Sequence, residues 1–162
     1  MLTDSRLRKG FFEAQDAQEA FGLSEAGFGF SDGKAILFHP LEAAYLAKTG
    51  KAQVAPKALA ALKKKGTGFA FALAAYGAIR STGRLVRPFV RKTTYFRAYA
   101  PGVGRTEGRP CQLVCLIPGA EPSTKSISGH VKVAHLLRMD LVIACGTEKE
   151  VKFYKVSSMN FG

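Results

Sequence analysis

Several patterns that mark common classes of protein are missing from this chain. No run of about 20 apolar residues could span a bilayer, and the first ten residues, MLTDSRLRKG, lack the apolar segment of a secretory signal. We therefore expect a soluble, cytoplasmic protein that does not associate with a membrane.

Cysteine is scarce, with three residues in a chain of 162. Cys111, Cys115 and Cys145 show no paired spacing. On a strand the first two would lie about 13 Å apart, too far to share a metal ion or a disulfide. Because free cysteine is usually buried, we predict that all three are small core residues.

Histidine and phosphate-binding motifs are equally sparse. His130 and His135 are five residues apart on a predicted helix. They would point about 140° away from each other and could not share a metal as an i, i+4 pair does. Neither G-x-G-x-x-G nor a Gly-Lys-Ser loop occurs, and no Ser-His-acid set can be assigned. The sequence therefore predicts no metal and no cofactor.

Acidic residues are few, since twelve Asp and Glu oppose 24 Lys and Arg and leave a formal net charge of +12. The excess is spread over the whole length, which favours a positively charged folded surface over a disordered basic tail. Nucleic acid is the favoured partner class. An anionic membrane surface or an acidic protein would explain the same charge.

The residues that are present predict an α+β protein of two domains. A small N-terminal α+β domain is expected at 1–68, and a C-terminal domain with a mixed or antiparallel sheet and flanking helices at 69–162. In the first, the segment 11–21 predicts a helix. FGFSDGKAILF predicts a hairpin, and LEAAYLAK after Pro40 predicts a second helix.

The central stretch of the second domain runs from Ser128 to Cys145. Ser128 is a candidate N-cap, and a buried strand is expected at 141–145. Apolar residues recur at helical spacing between them, at Val131, Ala134 and Leu137. The basic residues Lys132 and Arg138 would either face a polyanion or form an ordinary solvated surface.

The strand predicted at Tyr95 to Tyr99, YFRAY, has two interpretations. Aromatic residues and arginine that alternate on one strand can stack RNA bases and pair with phosphates. Alternatively, Phe96 packs in the core while Tyr95, Arg97 and Tyr99 cover the opposite face. The residues alone leave both interpretations open.

The order of motifs resembles the archaeal tRNA-splicing endonuclease family over nearly the whole chain. The segments that carry the resemblance are IRSTGRLVRP, FRAY at Phe96 to Tyr99, RPCQLVCLIP at Arg109 to Pro118, and VKVAHLLRMDLVIAC at Val131 to Cys145. DGKAILF and PLEAAYLAKTGK resemble the N-terminal domain of that family. The resemblance implies that the C-terminal domain is nuclease-like.

In active members of that family a tyrosine, a histidine and a lysine cleave RNA without metal, to a 2′,3′-cyclic phosphate and a 5′-hydroxyl. By the resemblance Tyr99 retains the tyrosine, whereas Arg109 and Met139 occupy the histidine and lysine positions. Arginine is a poor general acid or base, and methionine cannot stabilise a developing negative charge. We therefore expect this chain alone to be inactive.

The resemblance thus implies the structural subunit of a heterotetrameric endonuclease that removes introns from precursor tRNA at bulge-helix-bulge junctions. A homologous catalytic chain would be its partner, and Arg97, Lys132 and Arg138 are the candidates for RNA contact. The heterotetramer would consist of two pairs, each made of one structural and one catalytic chain, and the two chains of a pair would associate through their C-terminal strands. Glu148 and Glu150, in an acidic turn, would dock on the opposite pair or would merely keep the turn hydrated.

Two other functions fit the same sequence. One is a stand-alone RNA-binding module that uses Arg97, Tyr99 and Lys132. The other is an active nuclease with a rearranged site built from Tyr99, His130 or His135.

Overall fold

The structure is a computed structural model that describes residues 1–5, 9–90, 94–102, 108–119 and 122–157. Within these residues the chain forms five helices and two sheets, the mixed α+β fold expected from the sequence. The elements in chain order are β1 Leu2–Asp4, β2 Phe12–Ala14, α1 Ala17–Glu25, β3 Phe30–Ser31, β4 Ile36–Phe38, α2 Pro40–Lys48, α3 Pro56–Lys63, α4 Gly66–Ser81, β5 Val86–Pro88, β6 Tyr95–Ala98, β7 Gln112–Pro118, α5 Thr124–Leu136, β8 Asp140–Gly146 and β9 Val151–Val156. No helix in the described part of the chain is both long and apolar enough to cross a membrane.

The N-terminal sheet has the order β1-β2-β4-β3, with antiparallel pairing throughout. The predicted hairpin is confirmed, since Asp32 Oδ1 accepts the backbone N–H groups of Lys34 and Ala35 and closes the turn. The helix predicted at 11–21 is only partly confirmed, because α1 covers its second half and continues through Gly22 to Glu25. Phe12–Ala14 is a strand between β1 and β4, and Asp16 caps a helix that begins at Ala17. Pairing with strands distant in sequence overrides the local pattern here.

The C-terminal sheet has the order β5-β6-β7-β8-β9. Only β7 and β8 among these strands run parallel, and α5 is the crossover that joins them. Helix α5 packs on one face of the sheet against β7 and β8, while α4 packs on the other face. The sheet is therefore covered on both sides, which explains the continuous apolar runs of β7 and β8.

Two hydrophobic clusters fill the space on either side of this sheet. The larger includes Phe38 and Leu46 from the N-terminal unit, Phe71 and Tyr76 from α4, and Phe96 from β6. The smaller lies between α5 and the sheet, where it includes Leu113, Cys115, Ala134 and Ile143. Helix α4 thus packs against both units, and the domain boundary predicted after residue 68 falls in its first turn.

Two local expectations about the C-terminal unit are corrected. Helix α5 begins at Thr124, because the Ser123 hydroxyl accepts the N–H of Ser126 at 3.3 Å, and Ser128 lies inside the helix. Cys115 and Cys145 are buried as predicted, whereas Cys111 is exposed because it lies just before β7 begins.

Candidate functional site

The three positions singled out by the resemblance lie at one edge of the C-terminal sheet. Tyr99 follows β6, Arg109 precedes β7, and Met139 precedes β8. Backbone hydrogen bonds join these ends, since Cys111 N–H donates to Ala98 O at 3.0 Å and Asp140 N–H donates to Cys111 O at 2.9 Å. Segments 40 residues apart in sequence therefore meet through the sheet register.

The side chains at this edge differ in their access to solvent. Tyr99 is 9% exposed and counts as buried, while Arg109 is exposed. Met139 is partly buried and packs against the cluster beneath α5. Of the three side chains, only the tyrosine carries a hydroxyl, which can both donate and accept a hydrogen bond.

Met139 has a structural reason to be apolar. Helix α5 ends with the N–H of Arg138 on His135 O and the N–H of Met139 on Ala134 O, both at 3.0 Å. Arg138 has a left-handed backbone with φ of 54°. This is the Schellman pattern, in which the second residue after the cap makes a hydrophobic contact with the end of the helix. Met139 occupies that position.

Asp140 and Lys155 form an ion pair at 2.8 Å next to this edge. With His135 they line a groove of about 380 Å³ between α5 and β9. Both charged side chains are more than half exposed, so the pair contributes little to stability. His135 itself is exposed on the last turn of α5.

His130 lies in a different environment from His135. Its Nδ1 is 2.7 Å from the Tyr95 hydroxyl, and its Nε2 is 3.5 Å from the Ser126 hydroxyl. Burial raises the pKa of Tyr95 above its ordinary value. Sequence reasoning named His130 but missed Tyr95 as its partner, because the contact depends on how α5 packs across 35 residues of chain.

The basic candidates all lie on the α5 side of the sheet. Arg97 alternates with Tyr95 on β6, is exposed, and stacks on the Phe89 ring with its guanidinium 4.4 Å from the ring centroid. Lys132 is exposed on α5, and Arg138 is exposed just after it. Tyr95, Phe96 and Tyr99 are buried, so the interpretation of this strand as a base-stacking surface is wrong for its aromatic residues.

The turn from Gly146 to Glu150 is held by Thr147. Its hydroxyl accepts the N–H groups of Lys149 and Glu150, both at 3.3 Å. Glu148 and Glu150 are exposed, and Glu150 forms a solvent-exposed ion pair with Lys152 at 3.4 Å. Lys149 lies between the two acids, so the turn carries less negative charge than its glutamates alone suggest.

Strand β9 follows this turn as an outer strand of the sheet. Phe153 and Tyr154 on it are 40% and 48% exposed. An outer strand with exposed aromatic residues is a ready template for pairing with another chain.

A buried polar pair, His39 and Glu42, lies at the start of α2. His39 Nδ1 accepts the N–H of Leu41 at 3.2 Å, and Glu42 accepts the N–H of His39 at 2.8 Å and of Gly29 at 3.1 Å. Burial lowers the pKa of His39 to about 4 and raises the pKa of Glu42 to about 7. The helix start at Pro40 was visible in the sequence, whereas the contact that buries Glu42 against Gly29 depends on the fold.

The described residues contain no group of three or more His, Cys, Asp and Glu side chains that could hold a metal ion. In comparisons with known proteins, no family model matches the chain and no curated protein matches it in sequence.

Proposed function

We propose that this chain is the structural subunit of a heterotetrameric tRNA-splicing endonuclease, in which a homologous catalytic chain cleaves precursor tRNA at bulge-helix-bulge junctions. The observation that carries the proposal is the sheet edge at which Tyr99, Arg109 and Met139 lie. Positions that are separated in sequence share one edge, as a catalytic set would require, yet two of them hold residues unsuited to the reaction.

The chemistry of that edge supports a non-catalytic role. Cleavage needs one group to take the proton of the ribose 2′-hydroxyl and another to protonate the leaving oxygen. Arginine, the residue type at position 109, is a poor general acid or base. Met139 offers only a thioether and is fixed by the end of α5. The partner chain would therefore supply the reacting groups.

Two exposed features fit an assembly role. Strand β9 presents Phe153 and Tyr154 and would pair with the partner's equivalent strand. The turn with Glu148 and Glu150 would dock into a basic groove of the opposite pair. Such a contact would set specificity and association rate more than affinity.

Co-expression with the catalytic homologue tests the proposal. We expect a complex with the mass of four chains that cleaves a bulge-helix-bulge RNA in the presence of a chelator, while this chain alone leaves the RNA intact. Reversing the charges of Glu148 and Glu150 should separate that complex into pairs. Cleavage by this chain alone would contradict the proposal, and a monomer that binds RNA but captures no homologous chain would indicate the RNA-binding module.

One contact favours an active nuclease with a rearranged site as the second candidate. Tyr95 and His130 share a hydrogen bond of 2.7 Å, so a hydroxyl and an imidazole lie within reach of each other on the α5 side of the sheet, as a general acid or base and its partner would. Under this alternative, His130→Gln abolishes cleavage by the assembled complex. Under the structural proposal, His130→Gln leaves the cleavage rate unchanged once the complex has formed.

A further inference from the structure

The β5 side of the C-terminal sheet contains a cavity with an excess of positive charge. Its volume is about 240 Å³, and it lies between β5, β6 and the N-terminal unit. The side chains that define its chemistry are Phe30, His39, Glu42, Arg87 and Arg97. A water molecule occupies about 30 Å³ in the liquid, so the cavity has room for a small tetrahedral ion.

Arg87 and Arg97 are direct neighbours across the two strands. They are register partners in the antiparallel pair of β5 and β6, so both side chains project from the same face of the sheet. Like charges directly opposite each other are destabilising in such a pair. Neither arginine forms an ion pair with a carboxylate in the described residues.

Arg87 also has a donor that lacks an acceptor. Its Nε is buried and has no hydrogen-bond partner within the described structure. A buried donor left unpaired destabilises the fold, so an acceptor in the cavity would relieve that penalty.

Glu42 does not supply that acceptor. Its two carboxylate oxygens accept the N–H groups of His39 and Gly29. Burial raises the pKa of this carboxyl to about 7, against the lowering effect of nearby charges that include Arg87, so Glu42 holds its negative charge less firmly than an exposed glutamate does. His39, whose pKa is lowered by burial, is uncharged at neutral pH.

We infer that this cavity binds a phosphate group between the guanidinium groups of Arg87 and Arg97. Guanidinium groups offer paired N–H donors whose spacing matches two oxygens of a phosphate. Arg97 is already held in place by its stacking on Phe89, which reduces the entropy lost on binding. The phosphate would occupy the space between the two like charges and give Arg87 Nε its missing acceptor.

The phosphate could belong to a small ester or to the backbone of an RNA. The binding chemistry is the same in both cases, and only the second source rests on the proposed function. In that case, the cavity would hold one backbone phosphate of the precursor tRNA.

Calorimetric titration of the folded chain with inorganic phosphate at low ionic strength tests this inference. We expect phosphate to bind the native chain, and Arg97→Gln to weaken that binding by about tenfold or more, which is the loss of one charged contact. The same loss is expected for Arg87→Gln. Lys57→Gln, which removes one exposed positive charge from α3, is the matched control and should change the affinity by less than about twofold.

Thermal stability provides a second test, because the native chain and Arg97→Gln should differ in opposite directions without and with phosphate. Without phosphate, Arg97→Gln should be as stable as the native chain or more so, because one of the two repelling charges is gone. With phosphate, the native chain should gain stability and the variant should not. Equal phosphate affinity in Arg97→Gln and the native chain, or no phosphate binding above that of chloride, overturns the inference.

Competition identifies the source of the phosphate. A single-stranded RNA oligonucleotide should displace inorganic phosphate if the site takes a backbone phosphate, whereas only a nucleoside monophosphate should displace it if the site takes small esters. Assembly with the catalytic homologue is measured on the same Arg97→Gln protein. Loss of phosphate binding with intact assembly separates this site from the proposed subunit role.

Discussion

The two outer strands of the C-terminal sheet differ in almost every property that governs pairing. Strand β5 has three residues, ends in Pro88, and lies against the cavity shared with the N-terminal unit. Strand β9 has six residues and leaves Phe153 and Tyr154 exposed. A short strand with proline and a covered side is protected from pairing, whereas a longer strand with exposed aromatic residues is not.

This difference separates two roles within one sheet. The β5 side joins the sheet to the rest of the molecule, and His39 and Glu42 are buried there. Strand β9 is the outer strand at the opposite edge of the sheet, and it presents two exposed aromatic residues, Phe153 and Tyr154. We interpret β5 as the ligand-binding and structural side and β9 as the side that receives a partner.

The largest effect is expected from the double change of Phe153 and Tyr154 to lysine. Charged side chains on an outer strand oppose pairing, and buried aromatic residues contribute about 2 kcal/mol each at a protein interface. Association with the catalytic homologue should therefore weaken by roughly a thousandfold, as measured by calorimetry or by mass in solution.

Phe21→Lys is the matched control for this change. Phe21 is 61% exposed on α1 in the N-terminal unit, far from β9 in the topology. It should leave association unchanged. Equal weakening by Phe21→Lys, or unchanged association of the β9 variant, would remove the distinction between the two outer strands.

The second largest effect is expected on the pH dependence of folding stability, from the buried pair His39 and Glu42 on the β5 side. The pKa of His39 is lowered from 6.5 to about 4, so folding stability rises as the pH increases through that window. The pKa of Glu42 is raised from 4.5 to about 7, so stability falls as the pH increases through that window. Between pH 4.5 and 6.5 the two contributions oppose each other and largely cancel.

Replacing one residue of the pair should reveal the pH dependence that the other residue contributes. Glu42→Gln should leave a free energy of unfolding that increases by about 3 kcal/mol from pH 4 to 6.5, and His39→Asn should leave one that decreases by about 3 kcal/mol from pH 4.5 to 7. Asparagine retains the N-cap acceptor without titrating in this range. Urea unfolding across this range measures the slopes. Parallel pH profiles for the native chain and both variants would contradict the assignment.

The parts of the fold that followed from the sequence are those set by local patterns. The apolar runs of β7 and β8, the Asp32 turn and the Pro40 start of α2 were all predictable. Strand β2 was not, because Phe12–Ala14 is fixed by pairing with β1 and β4 rather than by its own periodicity.

The candidate sites likewise divide into residues that the sequence identifies and contacts that depend on the fold. Tyr99, Arg109 and Met139 could be named from motif order, and the exposure of Arg97 fits a strand residue that faces outward. The pairing of Arg87 with Arg97 needs the register of β5 against β6. The contact of Tyr95 with His130 needs the position of α5 on the sheet. No spacing in the sequence encodes either one.

The smallest effect is expected at the turn that leads from α5 into β8. Arg138 has φ of 54°, a conformation that glycine adopts without strain and that other residues adopt at a cost of about 1–2 kcal/mol. Glycine loses more backbone entropy on folding, so Arg138→Gly should stabilise the fold by a net amount of about 0.5–1 kcal/mol in urea unfolding. Arg138→Ala removes the same charge but keeps the strain, and should give no such gain. Equal stability of the two variants would show that the left-handed turn stores no strain. A glycine variant that is more stable but binds RNA less tightly would indicate that the strain is retained because it positions the Arg138 charge.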